Sequence, residues 1–386
     1  MRVVLSTFGS RGDVEPLVAL AVRLRESGAE VTVCAPPDDD FVARLAGVGV
    51  PLVGVGPSAR ALTKAAPPPS AMPERAAAII ANIFDTVLPA AEGCDVLVAT
   101  GMVPAAAAGL SVAEKLGIPS VSVTFQQLTL PSPHRGPLEY AGRPHPPEIA
   151  GNQALWDLDA QVITELFGPG LNTGREAHGL PPVADVRSYV IGERPWLATD
   201  PVLDPTDLDV VQTGSWLLPD ERPLPDDLRA FLDAGEPPVY AGFGSMPLHA
   251  APDLAAAAID AIRAQGRRAI VSRGWADLEL DDCFLVGEVN HQALFRRVAA
   301  VIHHGGQGTT TTATFAGAPQ VVVPQLADQP YWAGRVAALG IGVAVDATSS
   351  LEAALETALT QQTRAAEVAR MIRTDGAAVA AKMLLS

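Results

Sequence analysis

"AAVIHHGGQGTTTTATFAGAPQVVVPQ", residues 299–325, is the stretch whose reading decides the fold. Residues 299–306 begin apolar and end in two histidines and two glycines, a strand running into a turn. Residues 307–317 read as a helix stopped by Gly317, and 319–325 is again a short apolar run rich in valine. Short apolar strands separated by helices give a parallel sheet covered on both faces.

The same alternation extends outward in both directions. Before this stretch come a strand at 239–244, a helix at 251–266, strands at 268–274 and 283–289, and a helix at 291–298. After it come a helix at 329–340, a strand at 342–345 and terminal helices. The first 125 residues repeat the pattern, with strands at 2–6, 30–35, 95–100 and 120–125 and helices at 16–28, 38–49, 74–93 and 103–117. Two segments break the rhythm. Residues 127–150 are Pro-rich and polar, and are followed by two helical segments, 152–167 and 171–178. Residues 200–238 are dense in Pro and Asp, as an interdomain linker is. The expected fold is α/β, with two Rossmann-like doubly wound parallel-sheet domains. The divisions are 1–203, a linker at 204–220, 221–370, and a final helix at 371–386 that can cross back to the first domain. Neither domain shows GxGxxG after its first strand, so a dinucleotide site is not favoured.

The bulk properties narrow the function. The 386 residues are 48% apolar, enough for two cores, and the formal net charge of −16 disfavours nucleic acid and anionic membrane surfaces as partners. Cys34, Cys94 and Cys283 lie far apart, without CxxC spacing, which speaks against a disulfide framework and a zinc site. No apolar run approaches the roughly 18 residues of a membrane span. The opening run "MRVVLSTFGS" is too short for a signal peptide, and the expected location is the cytoplasm.

In open parallel sheets, ligands bind beyond the carboxyl ends of the strands. Two such ends are rich in polar groups. The first is "TFGSRGDVE" (7–15). Gly9 and Gly12 permit a tight turn, Ser10 and Arg11 can meet phosphate oxygens, and Asp13 can act either as a general base or as a helix-capping residue. The tripeptide Arg11-Gly12-Asp13 follows a central strand, the wrong setting for an adhesive loop. The second is 303–336. There the histidines and glycines lead into a helix N-terminus, an anion site, with Thr309 and Thr310 in its first turn. Asp328 and Gln329 follow the next strand, and a carboxylate beside an amide suits sugar hydroxyls or an amine.

The segments "HHGGQGTT" (303–310), "STFGSRGDVEPLVALAVRLRESGAEV" (6–31), "GFGSM" (242–246) and "GEVNHQALFRRVAAVIHHGG" (287–306) together resemble the GT-B, family-1 glycosyltransferases of antibiotic biosynthesis. The likeness spans nearly the whole chain and is strongest to those that decorate vancomycin-type glycopeptides. It implies an inverting transfer without metal or other cofactor. The donor would be a dTDP- or UDP-sugar lying mostly on the C-terminal domain, in a cleft between the domains. The acceptor would be a glycopeptide aglycone or pseudoaglycone on the N-terminal domain. By matching position, Asp13 is the general base. His304, Gly306, Gln307, Thr309 and Thr310 form the diphosphate clamp, with Ser10, Arg11 and Ser245. Trp275 and Val289 belong to the base pocket, and Asp328 and Gln329 contact the sugar. Gln307 departs from the pattern, standing where a small residue is expected. "PQLADQP" and "EPLVALAV" resemble the aminosugar transferases, which points to a donor such as dTDP-4-epi-vancosamine. The expected protein is a monomer.

Alternatives stay in view. The same chemistry can serve a polyketide or macrolide acceptor, or UDP-glucose as donor. A nucleotide-sugar 2-epimerase and a non-catalytic nucleotide-sugar-binding protein share the fold. "DDD" (38–40) imitates a metal motif but fits a helix start, Asp281-Asp282 fits a solvated loop, and His134 and His145 fit the surface of the Pro-rich loop.

Overall fold

The computed structural model describes residues 1–65, 68–140, 142–244, 251–273, 283–346 and 348–386, with backbone alone at 63–65 and 251–252. The chain divides into two compact units. One is Met1–Asp200, Thr206–Leu218 and Arg373–Ser386, and the other is Pro201–Pro205 and Pro219–Ile372. Both are α/β with an all-parallel sheet.

The first unit runs β1 (Arg2–Phe8), α1 (Arg11–Glu26), β2 (Glu30–Ala35), α2 (Asp39–Gly47), β3 (Leu52–Gly54), α3 (Ala59–Ala65), α4 (Met72–Ala91), β4 (Val96–Gly101), α5 (Val103–Leu116) and β5 (Ser120–Thr124). It continues with α6 (Asn152–Ala177), α7 (Val186–Ile191), β6 (Trp196–Leu197) and β7 (Val211–Gln212). The strand order is β3-β2-β1-β4-β5-β6-β7. In β1, Val3 and Leu5 face a core built with α1 and α2, whereas Val4 and Phe8 face a core built with α4, α5 and α6. A strand covered on both faces must be apolar at successive positions, and "RVVLS" is.

The second unit runs α8 (Asp226–Asp233), β8 (Val239–Gly242), α9 (Ala251–Ala264), β9 (Ala269–Ser272), β10 (Phe284–Val286), α10 (His291–Leu294) and β11 (Ala300–His303). There follow α11 (Gln307–Ala316), β12 (Gln320–Val322), α12 (Gln329–Ala338), β13 (Gly342–Ala344), α13 (Leu351–Leu359) and α14 (Gln362–Ala369). Its strand order is β10-β9-β8-β11-β12-β13, so β11 lies in mid-sheet between β8 and β12. Residues 201–205 join this unit through α12. Arg335 Nε donates to the Leu203 carbonyl at 2.9 Å, and the Tyr331 hydroxyl donates to Asp204. The last helix, α15 (Gly376–Leu384), packs in the first unit beside α1, placing Ala377, Ala380, Ala381 and Leu384 in the α1 core.

Three elements differ from the sequence reading. α1 starts at Arg11, so residues expected as a turn form its first coil. The two helices expected at 152–167 and 171–178 are one helix, α6, continuous through Pro169. Proline and glycine normally end such a run. Here the glycines serve contact with α4: a Cβ at Gly170 would lie 2.9 Å from that of Ala77, and one at Gly174 2.7 Å from the Phe84 ring. Close packing against α4 outweighs the intrinsic break. The segment 291–298 is a single α-turn followed by a 3-10 turn at Phe295–Arg297.

The Pro-rich segment is stapled down. Arg135 Nη2 donates to Gln127 Oε1 at 2.6 Å, Trp156 Nε1 to the Arg135 carbonyl at 2.7 Å, and Asn152 Nδ2 to the Pro133 carbonyl at 2.7 Å. His134 pairs with Asp207 at 2.9 Å and His145 with Glu139 at 3.7 Å, both as surface contacts. In the "DDD" run, the Asp38 carboxylate caps the start of α3, accepting from Ser58 Oγ, Ala59 N and Arg60 N. Asp39 and Asp40 sit in the first turn of α2. Among the described residues no helix is long and apolar enough to cross a membrane.

Candidate functional site

In the first unit, β1 ends at Phe8 and α1 opens at Arg11, with only Gly9 and Ser10 between them, at mid-sheet. Ser10 is the N-cap. Its Oγ accepts from Gly12 N at 3.3 Å, and Asp13 Oδ2 accepts from Ser10 N at 2.8 Å, a capping box. Asp13 is thus a half-buried carboxylate fixed by a cap at a strand's carboxyl end. Gly9 makes the fit possible, since a Cβ there would stand 2.1 Å from Asp13 Oδ2. Arg11 is exposed and has Glu15 as one partner at 3.5 Å.

In the second unit, three strand ends meet. β11 ends in His303, followed by His304, Gly305 and Gly306, and Gly306 is the N-cap of α11. The amides of Gln307, Gly308 and Thr309 lie at the helix start, with no carbonyl one turn earlier to accept them. Thr310 N is the first to bond back, to Gly306 O at 3.0 Å. No side chain caps the end among the described residues. Amides and helix dipole therefore make an anion-binding end.

The His304 ring lies between two glycines. A Cβ at Gly244, beyond the end of β8, would be 2.8 Å from its Cε1, and one at Gly306 2.6 Å from its Nε2. Gly244 also has φ +62, which other residues rarely adopt. His304 Nδ1 is buried and finds no partner among the described residues. Beyond β12, Ala327 has φ +55, a strained value for a residue with a Cβ. It sets the turn into Asp328. Burial pushes the Asp328 carboxyl up, while Trp332 Nε1 donates to its Oδ2 at 2.7 Å.

The expected residues fall into distinct groups. His304, Gly306, Gln307 and Thr309 share one sheet edge with Asp328. Thr310 departs from its expected role: its hydroxyl is fully buried and donates to Gly306 O at 3.0 Å, so it braces the helix start from inside. Gln329 is buried, and its Oε1 accepts from Gln325 N at 2.8 Å and Leu326 N at 3.2 Å. With its carbonyl so used, only its amide nitrogen is left to meet a sugar. Val289 lies in the apolar core with Leu294 and Phe295, so its side chain is not offered to a ligand. Ser245 and Trp275 lie outside the described residues, as do Asp281 and Asp282. Sequence reasoning missed Gly244, the Ala327 strain and Trp332 as holder of Asp328. Only the glycine left a trace, in "GFG".

Burial pushes His303 down to about 3 and His304 down to about 4. Both are neutral in the folded protein at neutral pH. The unfolded chain binds their protons near pH 6.5. Their folded pKa values are depressed, so the unfolded state holds more protons below that pH. Their stabilising contribution is complete above pH 6.5 and is lost as pH falls toward 4. For His303, on the order of 2 kcal/mol is lost between pH 8 and pH 5, with less for the partly exposed His304. Urea unfolding at the two pH values measures this. Equal stabilities at both would contradict buried neutral histidines.

Two family models match the chain. One is described as the glycosyltransferase family 28 N-terminal domain, over residues 3–130. The other is the erythromycin biosynthesis protein CIII-like C-terminal domain, over 278–382. The vancomycin aglycone glucosyltransferase of Amycolatopsis orientalis is 56% identical over 400 aligned residues, covering 100% of this chain and 97% of that protein. The dTDP-epi-vancosaminyltransferase of the same organism is 50% identical, covering 95% of this chain and 91% of that protein. Among solved structures, the glycotransferase of kitacinnamycin superposes with a TM-score of 0.73 at 21% identity, covering 100% and 98% of the two chains. Spinosyn rhamnosyltransferase SpnG with thymidine diphosphate gives 0.65 at 22%, covering 100% of both. These two show the fold alone. Fold, motif geometry and whole-length identity agree: the chain belongs to the GT-B glycosyltransferases of the vancomycin-type glycopeptide pathways.

Proposed function

We propose that this enzyme moves a sugar from a nucleoside diphosphate donor to a hydroxyl of a glycopeptide aglycone, inverting the anomeric carbon. The observation that carries this reading is the start of α11, where helix amides and a glycine-flanked neutral histidine crowd one sheet edge. The glycopeptide acceptor rests on the 50–56% identity with the vancomycin-pathway enzymes. In the step, the acceptor oxygen attacks the anomeric carbon and the bond from that carbon to the β-phosphate oxygen breaks. The acceptor proton passes to the Asp13 carboxylate. The nucleoside diphosphate leaves with its charge met by the amides of Gln307–Thr309, by His304 and by the Thr309 hydroxyl. Fixed donors of this kind serve the leaving group without a metal.

For the donor, the motifs "PQLADQP" and "EPLVALAV" support an aminodeoxysugar such as dTDP-4-epi-vancosamine. A second reading, UDP-glucose, is favoured by the higher identity to the aglycone glucosyltransferase, 56% against 50%. Purified enzyme incubated with each donor and a vancomycin-type aglycone decides by mass spectrometry. The expected result is one added sugar from one of the donors. Absence of product on every glycopeptide scaffold overturns the acceptor assignment. Sugar isomerisation without acceptor would instead indicate an epimerase, and nucleotide binding without turnover a binding protein.

A further inference from the structure

Behind the anion-binding end of α11 runs a closed circuit of buried polar groups. Gly305 N donates to His303 Nδ1 at 3.1 Å. With Nδ1 accepting, the ring proton is on Nε2, which donates to Gln320 Oε1 at 2.9 Å. Gln320 Nε2 donates to Thr314 Oγ1 at 2.9 Å, and Thr314 Oγ1 to Thr310 O at 2.8 Å. Thr310 returns the circuit to the turn, donating from both N and Oγ1 to Gly306 O at 3.0 Å. His303, Gln320, Thr310 and Thr314 are each 0–1% exposed. Every donor in the chain has one acceptor, so the tautomer and the amide orientation are fixed.

A polar circuit with no solvent access is costly to keep unless each member is satisfied. This one begins and ends on the Gly305–Gly306 turn. It holds Gly305 at φ +94, a conformation in which any Cβ would strike Val322 at 2.7 Å. The geometry points to His303 as a positioning residue of the donor site. It touches no ligand. It fixes the turn so that the amides of Gln307–Thr309 converge before the diphosphate arrives. Preorganised donors bind developing charge better than mobile ones, so loosening this turn weakens binding without removing a contact. The inference rests on the reading of the α11 start as the diphosphate site.

The test is calorimetric titration of wild-type and variant enzyme with thymidine diphosphate and with uridine diphosphate, alongside steady-state kinetics. His303→Leu removes both hydrogen bonds and is expected to raise the Kd of the nucleotide that wild type binds by about tenfold or more. The donor KM follows, and the acceptor KM stays unchanged. His303→Asn places an amide oxygen near the position of Nδ1, so it keeps the Gly305 bond but loses the link to Gln320, and is expected to recover only part of the loss, leaving the Kd about threefold above wild type. A purely structural role would lower the melting temperature of both variants and leave the Kd of the folded protein unchanged, which overturns the proposal. If His303→Leu does not fold, Gln320→Met cuts the circuit one link further away and must raise the Kd in the same sense. Wild-type protein that binds neither nucleotide refutes the reading of the site itself, an outcome distinct from equal binding by wild type and variants.

Discussion

Asp13→Asn lowers the kcat of sugar transfer by about 10²–10⁴-fold, the range by which general acid–base groups contribute, and leaves thermal stability nearly unchanged. The asymmetry follows from the capping box. Asp13 Oδ2 accepts the Ser10 amide at 2.8 Å, and an asparagine carbonyl can accept it equally well. The cap survives while the proton acceptor is lost. Asp13→Ala removes both, so it adds a stability loss of about 1 kcal/mol, typical of a lost cap. Initial rates at saturating donor and acceptor, with calorimetric melting, separate the two roles. Near wild-type turnover in Asp13→Asn would leave Asp13 a cap only.

His304→Ala lowers kcat/KM for the donor by about 10²–10³-fold, as removal of a donor to developing negative charge does. The ring is held between Gly244 and Gly306 and has a buried nitrogen without a partner among the described residues. A site that confines a polar ring and leaves one nitrogen unmatched is arranged for something that arrives. Burial keeps the imidazole neutral, its pKa down to about 4, so it acts as a hydrogen-bond donor and not as a cation. Rates between pH 6 and pH 8 therefore carry no titration from it. Gly306→Ala tests the same geometry from the other side, since the new Cβ meets Nε2 at 2.6 Å and must displace the ring. Unaltered donor kinetics in His304→Ala would remove it from the clamp.

Much of this was legible in the sequence because it depends on local pattern. Parallel strands buried on both faces are apolar at successive positions, and the helices between them carry their own periodicity and stops. The anion-binding end was legible for the same reason, since glycines after a strand and before a helix specify the turn and the free amides at once. The roles of individual side chains were less so. Thr309 and Thr310 are neighbours with identical side chains, yet Thr310 turns its hydroxyl inward to Gly306 O. Val289 and Gln329 read as ligand contacts, but one fills a core and the other ties down the 325–326 backbone.

The sequence by itself determined the class of fold, the two polar strand ends and the family. Each is written in residue type and spacing along a few turns of chain. Tertiary structure decided what spacing cannot hold. α6 runs through Pro169 because α4 accepts its glycines at close range. Residues 373–386 return to the first unit because α15 buries its alanines against α1. Asp13 and His304 take their poses from glycines: Gly9, four residues away in the chain, leaves room for the carboxylate, and Gly244, just beyond the end of β8, leaves room for the ring. In each case the deciding quantity is whether an atom fits at about 3 Å from a distant neighbour, where repulsion rises steeply and propensity no longer decides.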